Sequence, residues 1–267
     1  MRDGPPAWRR RVIHPSAIVE PGARLAPGAR IGAYSVIGPQ VEVGEGTVIG
    51  PHVVIEGRTR IGRNNRIWQF ASIGAAPQDM KYAGEDSAVE IGDGNTIREF
   101  VTINRGTMQD ARVTRIGNDN WIMAYVHFAH DCQIGNSTIF ANYSGLAGHV
   151  QVGDWAVLGA STLVHQFVRI GAHSFTGMGT ILDRDLPPYV RAAGNRAQAF
   201  GINTVGLRRR GMPGGTIDAL KLAYKTVYRG NTGQDEMKHV LEAQAKACAE
   251  VRAFLDFLGS SKRGFVR

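Results

Sequence analysis

Aliphatic side chains recur along this chain every six residues. The series starts at Ile13 and runs through Val19, Leu25, Ile31, Ile37, Val43, Ile49, Ile55, Ile61, Ile67 and Ile73. It returns in phase at Ile91, Ile97 and Ile103, then resumes from Ile116 through Ile122, Phe128, Ile134, Phe140, Leu146, Val152, Leu158, Val164 and Ile170. A period of six fits neither the α-helix nor the coiled coil, so a helical reading fails. Two places before the aliphatic position the residue is mostly small or β-branched, as at Ala17, Ser35, Thr47, Val53, Thr138 and Thr162. Glycine often follows it, as at Gly32, Gly44, Gly62, Gly117 and Gly153. The pattern predicts a triangular prism. Each hexad makes one short strand and one corner, the aliphatic side chain points inward, and glycine is expected there because it tolerates the corner conformation. Three hexads make one coil, and coils stack by parallel pairing at about 4.7–4.9 Å.

Such hexapeptide ladders resemble the left-handed parallel β-helices, an all-β architecture that is an exception to right-handed crossovers. The ladder covers roughly residues 12–185. Two segments break it. Residues 74–90 contain Pro, Gly and charges, and residues 104–115 shift the phase by one. Both read as loops thrown out from a coil, and loops on a rigid scaffold tend to carry function. After Pro187-Pro188 the ladder is gone. The spacing of Ile217, Leu220 and Val227, and of Val240, Leu241, Val251, Phe254 and Leu258, predicts amphipathic helices over 214–229 and 234–258. The expected organisation is a β-helix domain over 1–190 and a C-terminal α-helical domain over 191–267.

Composition narrows the setting. The 267 residues include 34 glycines without a G-X-Y period, which excludes collagen. Only two cysteines occur, Cys132 and Cys248, so a disulfide scaffold is excluded and a reducing, cytoplasmic compartment is expected. No stretch approaches the ~20 apolar residues that span a bilayer, and Met1 to Arg11 lack the apolar core of a signal peptide. The net charge of +8 is not spread evenly. Residues 191–267 hold 14 Lys/Arg against 6 Asp/Glu, while residues 1–190 hold 17 of each. The excess sits in the tail, which points to acidic ligands there and away from a general affinity for nucleic acid or membrane.

Four histidines, His127, His130, His149 and His165, fall within 39 residues. Their spacings are close to one coil, so they are expected to stack near one edge of the prism. Imidazole titrates near neutrality, which suits general-base work. Two chemistries stay open at this point. His127, His130 and His149 could bind zinc, as in the β-helical carbonic anhydrases. Alternatively, one histidine abstracts a proton from a sugar hydroxyl while the others bind substrate.

The local sequence adds a resemblance. AYVHFAHDCQIG at 124–135, LAGHV at 146–150, VHQF at 164–167, ASIGAAPQDMKYAG at 71–84 and FGINTVGLRRRG at 200–211 closely resemble the UDP-N-acetylglucosamine O-acyltransferase family of lipid A biosynthesis. The likeness runs nearly end to end, from HPSAIVEPGA to KRGFVR. It implies a homotrimer of left-handed β-helices that uses no cofactor and moves a 3-hydroxyacyl group from acyl carrier protein to the glucosamine 3-position. His130 matches the general base, Asp131 the group that orients it, and Gly148 the backbone N–H that stabilises the oxyanion. Adjacent side chains on a strand point to opposite faces, so a His130–Asp131 pair requires a corner or bend. His127, His149, His165 and Gln166 match contacts to the sugar and pantetheine. Asp79 and Lys81 match the sugar and phosphate side, and Asn203, Arg209 and Arg210 match the nucleotide end, where guanidinium favours phosphate. Three positions depart from the family pattern. Asn104 stands where the family often has histidine, and Val205 replaces a carboxylate near the ribose, so a 3-amino sugar analogue is an alternative acceptor. Met178 replaces a glycine that bounds the acyl groove, which implies a shorter 3-hydroxyacyl chain, near decanoyl.

Overall fold

The computed structural model describes residues 12–230 and 234–267. Short parallel strands form three sheets, and the strands within each sheet are third neighbours in sequence. Sheet I runs from Ile18–Val19 to Ile181–Leu182, sheet II from Arg24–Leu25 to Arg169–Ile170, and sheet III from Arg30–Ile31 through Phe175–Thr176. The chain circulates I, II, III, so three corners result: I/II, II/III and III/I. Register follows the hexads: Val36 pairs with Val54 and Ile37 with Ile55, one coil apart. The aliphatic ladder fills the prism, with Ile37, Ile55, Ile73, Ile97, Ile103, Ile122, Phe128 and Phe140 fully buried. This is the left-handed parallel β-helix that the period predicts.

The interior is not wholly apolar. At corner II/III the residue two before the aliphatic position is asparagine in three successive coils, Asn65, Asn95 and Asn120, all buried. The Asn65 side-chain oxygen accepts the Asn95 backbone and side-chain N–H groups at 2.8 and 3.0 Å. Asn120 accepts the backbone N–H and hydroxyl of Thr138 in the same way. Each buried amide is thereby satisfied by the coil above or below, which a buried polar group requires.

The role of glycine differs from the expectation. Gly32 and Gly44 do not adopt a left-handed conformation; a Cβ on them would stand 2.5 Å from the Gly50 carbonyl carbon and 2.4 Å from the Gly62 carbonyl oxygen. Close approach of stacked backbones, not the corner torsion, excludes side chains there. The left-handed torsions fall on other glycines, such as Gly28 (φ 76°) and Gly46 (φ 69°), and on larger residues, among them His52 (φ 54°), Phe70 (φ 64°) and Tyr125 (φ 64°) at corner III/I. Their rings stack from Tyr34 through His52, Phe70, Phe100 and Tyr125 to Tyr143, with centroids 4.8–5.4 Å apart. Each such stack contributes about 0.5–1.5 kcal/mol and offsets the torsional cost.

Both interruptions leave the prism at corner I/II. Ser72 pairs with Thr102, and Thr102 with His127, where an undisturbed coil pairs Val54 with Ser72. The strands Ser72–Ala75, Ala88–Ile91, Thr102–Asn104 and Val113–Ile116 hold the bases, so the irregular segments are 76–87 and 105–112. Both are shorter than the loops read from sequence, because residues at each end keep the ladder pairing.

Sheet structure also continues beyond residue 190. Val190–Ala193 pairs with Phe175–Thr176, and Gln198–Ile202 returns antiparallel and closes the end of sheet III. Helices follow: α1 (Thr204–Arg209), α2 (Gly214–Arg229), α3 (Gln234–Ala247) and α4 (Ala249–Ser260). The single helix expected over 234–258 is two, separated at Cys248, whose backbone is extended (φ −144°, ψ 113°). Glu242 and Arg252 consequently meet at 2.6 Å, whereas on one continuous helix they would lie about 15 Å apart along the axis. The chain end returns to the β-helix, where Val266 donates its N–H to the Asp185 carbonyl at 2.9 Å.

Candidate active site

Corner I/II gathers most of the chemistry. The strand His127–Phe128 of sheet I leads into a turn that reaches sheet II at Gln133–Ile134. At that turn Asp131 takes a left-handed torsion (φ 59°). The bend is what lets neighbouring side chains meet: His130 Nδ1 lies 3.0 Å from Asp131 Oδ2. Asp131 is fully buried, and an ionised carboxylate there needs donors. The Thr107 backbone N–H donates to both its oxygens at 3.1 and 2.9 Å, and the Thr107 hydroxyl donates to Oδ2 at 2.7 Å. Burial alone would raise the Asp131 pKa, but the bonds from His130 and Thr107 outweigh it and hold the carboxyl below its usual range.

An ionised carboxylate only accepts, so the facing Nδ1 of His130 carries the proton and Nε2 keeps its lone pair. This is the tautomer a general base requires. The His130 ring lies over Gly148 on the next coil. A Cβ at that glycine would stand 2.5 Å from His130 Cε1 and 2.6 Å from Nε2. Only glycine leaves room for the imidazole.

The coil register, however, places His149 above Asp131, not above His130. His149 is buried, stacks on Phe167 at 4.3 Å and meets the His130 ring edge-on at 4.9 Å. Its Nδ1 lies 2.9 Å from Asp110 Oδ2. His127 points from sheet I, with Nδ1 2.7 Å from Thr102 Oγ1. Burial, and then the charge of His130, hold its pKa below the ordinary value. The donor atoms of His130, Asp131 and His149 lie within 4.8 Å of one another, a spacing that could also hold a cation. Their existing hydrogen bonds run from imidazole to carboxylate, the arrangement that supports proton transfer.

Residues 185–266 match the family described as UDP N-acetylglucosamine O-acyltransferase, domain 2, and residues 41–75 and 114–148 match the bacterial transferase hexapeptide repeat. The chain is 55% identical over 260 residues to the acyl-[acyl-carrier-protein]–UDP-N-acetylglucosamine O-acyltransferase of Herminiimonas arsenicoxydans, covering 96% of this chain and 99% of the relative. The chain belongs to the UDP-N-acetylglucosamine O-acyltransferase family. Its enzyme from Thiobacillus denitrificans is 54% identical, with coverage of 96% and 99%. Among solved structures, the UDP-N-acetylglucosamine acyltransferase of Francisella novicida superposes with a TM-score of 0.93 at 42% identity, covering 96% of this chain and 94% of that one. The Moraxella catarrhalis enzyme gives 0.93 at 44%, covering 96% and 100%.

Within this member of the O-acyltransferase family, the expected site residues divide among three corners. Asp79 and Lys81 lie on the 76–87 segment at corner I/II, where the Lys81 N–H donates to Asp79 Oδ1 at 3.0 Å. That segment is pinned from below. Arg105 donates to the Gly74 carbonyl at 2.7 Å and to the Tyr82 hydroxyl at 3.0 Å, and Asn104 Nδ2 donates to the Ala76 carbonyl at 2.9 Å. Asn104, which departs from the family pattern, therefore serves to hold the loop. His165 and Gln166 are exposed at the same corner, with His165 Nδ1 3.2 Å from Arg263.

Asn203 and Arg210 are elsewhere, at corner II/III. Asn203 is buried; its oxygen caps α1 by accepting the Gly206 N–H at 3.2 Å, and its amide donates to the His173 carbonyl at 3.0 Å. Arg210 lies over the Trp155 ring at 5.2 Å, while Arg209 is exposed on α1. Val205, also on α1, is exposed. Met178 is at corner III/I, 81% exposed.

Sequence reasoning missed Thr102, Thr107, Asp110 and Phe167. The phase shift at 104–115 announced an insertion but not which of its residues turn inward. Phe167 had a readable signal, since it lies one coil beyond His149 in register. A concavity of about 710 Å³ between Arg30, His52, Trp68 and Phe70 lies on the N-terminal coils away from these groups.

Proposed function

We propose that this protein transfers a 3-hydroxyacyl group from acyl carrier protein to the 3-hydroxyl of UDP-N-acetylglucosamine, a step of lipid A biosynthesis. The observation that carries this reading is the buried Asp131 holding His130 by Nδ1 over Gly148, in a chain of this family. His130 Nε2 takes the proton as the sugar oxygen attacks the thioester carbonyl. The charge on Asp131 stabilises the imidazolium, and the Gly148 N–H meets the oxyanion. The thioester carbon–sulfur bond then breaks, and the proton on His130 passes to the departing pantetheine sulfur. His127, His149, His165 and Gln166 hold the sugar and pantetheine, Asp79 and Lys81 the sugar and its phosphate side, and Arg209 and Arg210 the nucleotide. Asn203 contributes to that end by fixing α1.

The resemblance implies a homotrimer whose site lies between copies of the chain. Copies packed side by side, as a homotrimer, bring the histidines of one copy against the Met178 edge or the Arg210 corner of another. Met178 then closes the acyl groove and sets a chain shorter than tetradecanoyl. The basic tail receives the acidic carrier protein. A matrix of acyl carrier protein donors of varied chain length against UDP-N-acetylglucosamine and its 3-amino analogue tests the reading. Product is expected with the 3-hydroxyl sugar and the shorter donors; no transfer to that sugar from any donor would overturn it.

A further inference from the structure

We infer that the 105–112 segment is part of the working site, with Asp110 a positioning residue for His149 and Thr107 a positioning residue for His130 through Asp131. The inference rests on the reading above and adds to it the polarity of the group that His149 presents.

Two imidazoles at this corner are held alike. His130 Nδ1 meets Asp131 at 3.0 Å and His149 Nδ1 meets Asp110 at 2.9 Å. A carboxylate accepts and does not donate, so both rings carry a proton on Nδ1, and either ring in its neutral form offers an Nε2 lone pair. His149 has little freedom besides this: Phe167 lies flat against it at 5° interplanar angle, and His130 meets it at 87°. In that neutral form the group His149 presents is an acceptor. That suits a hydroxyl or an amide N–H, such as the donor's 3-hydroxyl or the pantetheine amides, and does not suit a phosphate oxygen.

The two anchors on the segment differ in kind. Thr107 is buried and donates to the same Asp131 oxygen that His130 uses. Asp110 is half exposed at the rim, 51% accessible, and its carboxylate reaches inward to a ring that is almost covered. The segment thus sets the reacting base through its buried end and a substrate contact through its exposed end.

Imidazole nitrogen–proton correlation spectra and steady-state kinetics on the full chain test this. In the native protein His149 is expected as the Nδ1-protonated tautomer, and Asp110→Ala is expected to lose that signature. Asp110→Ala should raise KM about tenfold with a smaller change in kcat, the size of one charge-assisted hydrogen bond, and Asp110→Asn, which keeps an acceptor oxygen, should recover most of it. Thr107→Val should instead lower kcat about tenfold with KM little changed, with recovery in Thr107→Ser. An Nε2-protonated His149 in the native protein, or variants with native KM and kcat, would overturn the inference. The tautomer is read without turnover, so a native signature in a protein that transfers no acyl group would refute the functional reading alone.

Discussion

Gly148→Ala isolates the placement of the base from the donation of the oxyanion hydrogen bond, because alanine keeps the backbone N–H. Its Cβ would meet His130 Cε1 at 2.5 Å and Nε2 at 2.6 Å, against an ordinary contact that begins at 3.4 Å. The ring must withdraw by most of an ångström. It cannot do so freely, since Nδ1 is bonded to a buried carboxylate and the ring edge abuts His149 at 4.9 Å. A misplacement of about 1 Å costs about 10²-fold in rate, and forcing one methyl into a packed site costs about 1–3 kcal/mol. Steady-state assay with a 3-hydroxyacyl donor and UDP-N-acetylglucosamine should show kcat reduced about a hundredfold, while thermal denaturation shows a folded protein of lower stability. A folded Gly148→Ala variant with native kcat would refute the claim that this glycine exists to seat His130.

Three further outcomes are expected. His127 has a depressed pKa in the folded state, so the unfolded chain binds its proton more readily. Its contribution to stability is whole above about 6.5 and is lost as pH falls through the lower folded value; urea midpoints at about pH 7.5 and about pH 5.5 should separate more in the native protein than in His127→Gln. Use of acyl carrier protein should weaken as salt rises from about 0.05 to about 0.5 M, and less steeply once tail lysines and arginines are neutralised; kinetics independent of salt would refute docking on the basic tail. Met178→Gly should move donor preference towards longer chains, and an unchanged chain-length profile would remove Met178 as the ruler.

The fold was legible because one physical constraint repeats. Ile37, Ile55 and Ile73 occupy equivalent inward positions on successive coils of sheet I, and a period of six has no other economical solution. Long-range consequences of that period were less visible. Gly44 was read through its own torsion, when the deciding contact is the Gly62 carbonyl one coil away. The pairing of Val190–Ala193 with Phe175–Thr176 was missed because the hexad ends before it. At the site, the adjacency of His130 and Asp131 was plain, and so was the need for a bend between them. The inward reach of Thr107 and Asp110 was not, because an insertion of irregular backbone has no period from which direction can be read. Arg210 illustrates a different limit. Its charge points to phosphate, but the contacts to Trp155 and His173 that fix its guanidinium could not be read from charge, and burial lowers its pKa.

The central claim is that His130, oriented by Asp131, is the base for acyl transfer. Measurement of kcat for His130→Ala with 3-hydroxyacyl carrier protein and UDP-N-acetylglucosamine tests it most directly. Loss of the base should lower kcat by about 10²–10⁴-fold, in a protein that still folds but with a lower thermal midpoint, because the buried Asp131 carboxylate loses one donor. A folded His130→Ala protein that turns over at the native rate would contradict the account.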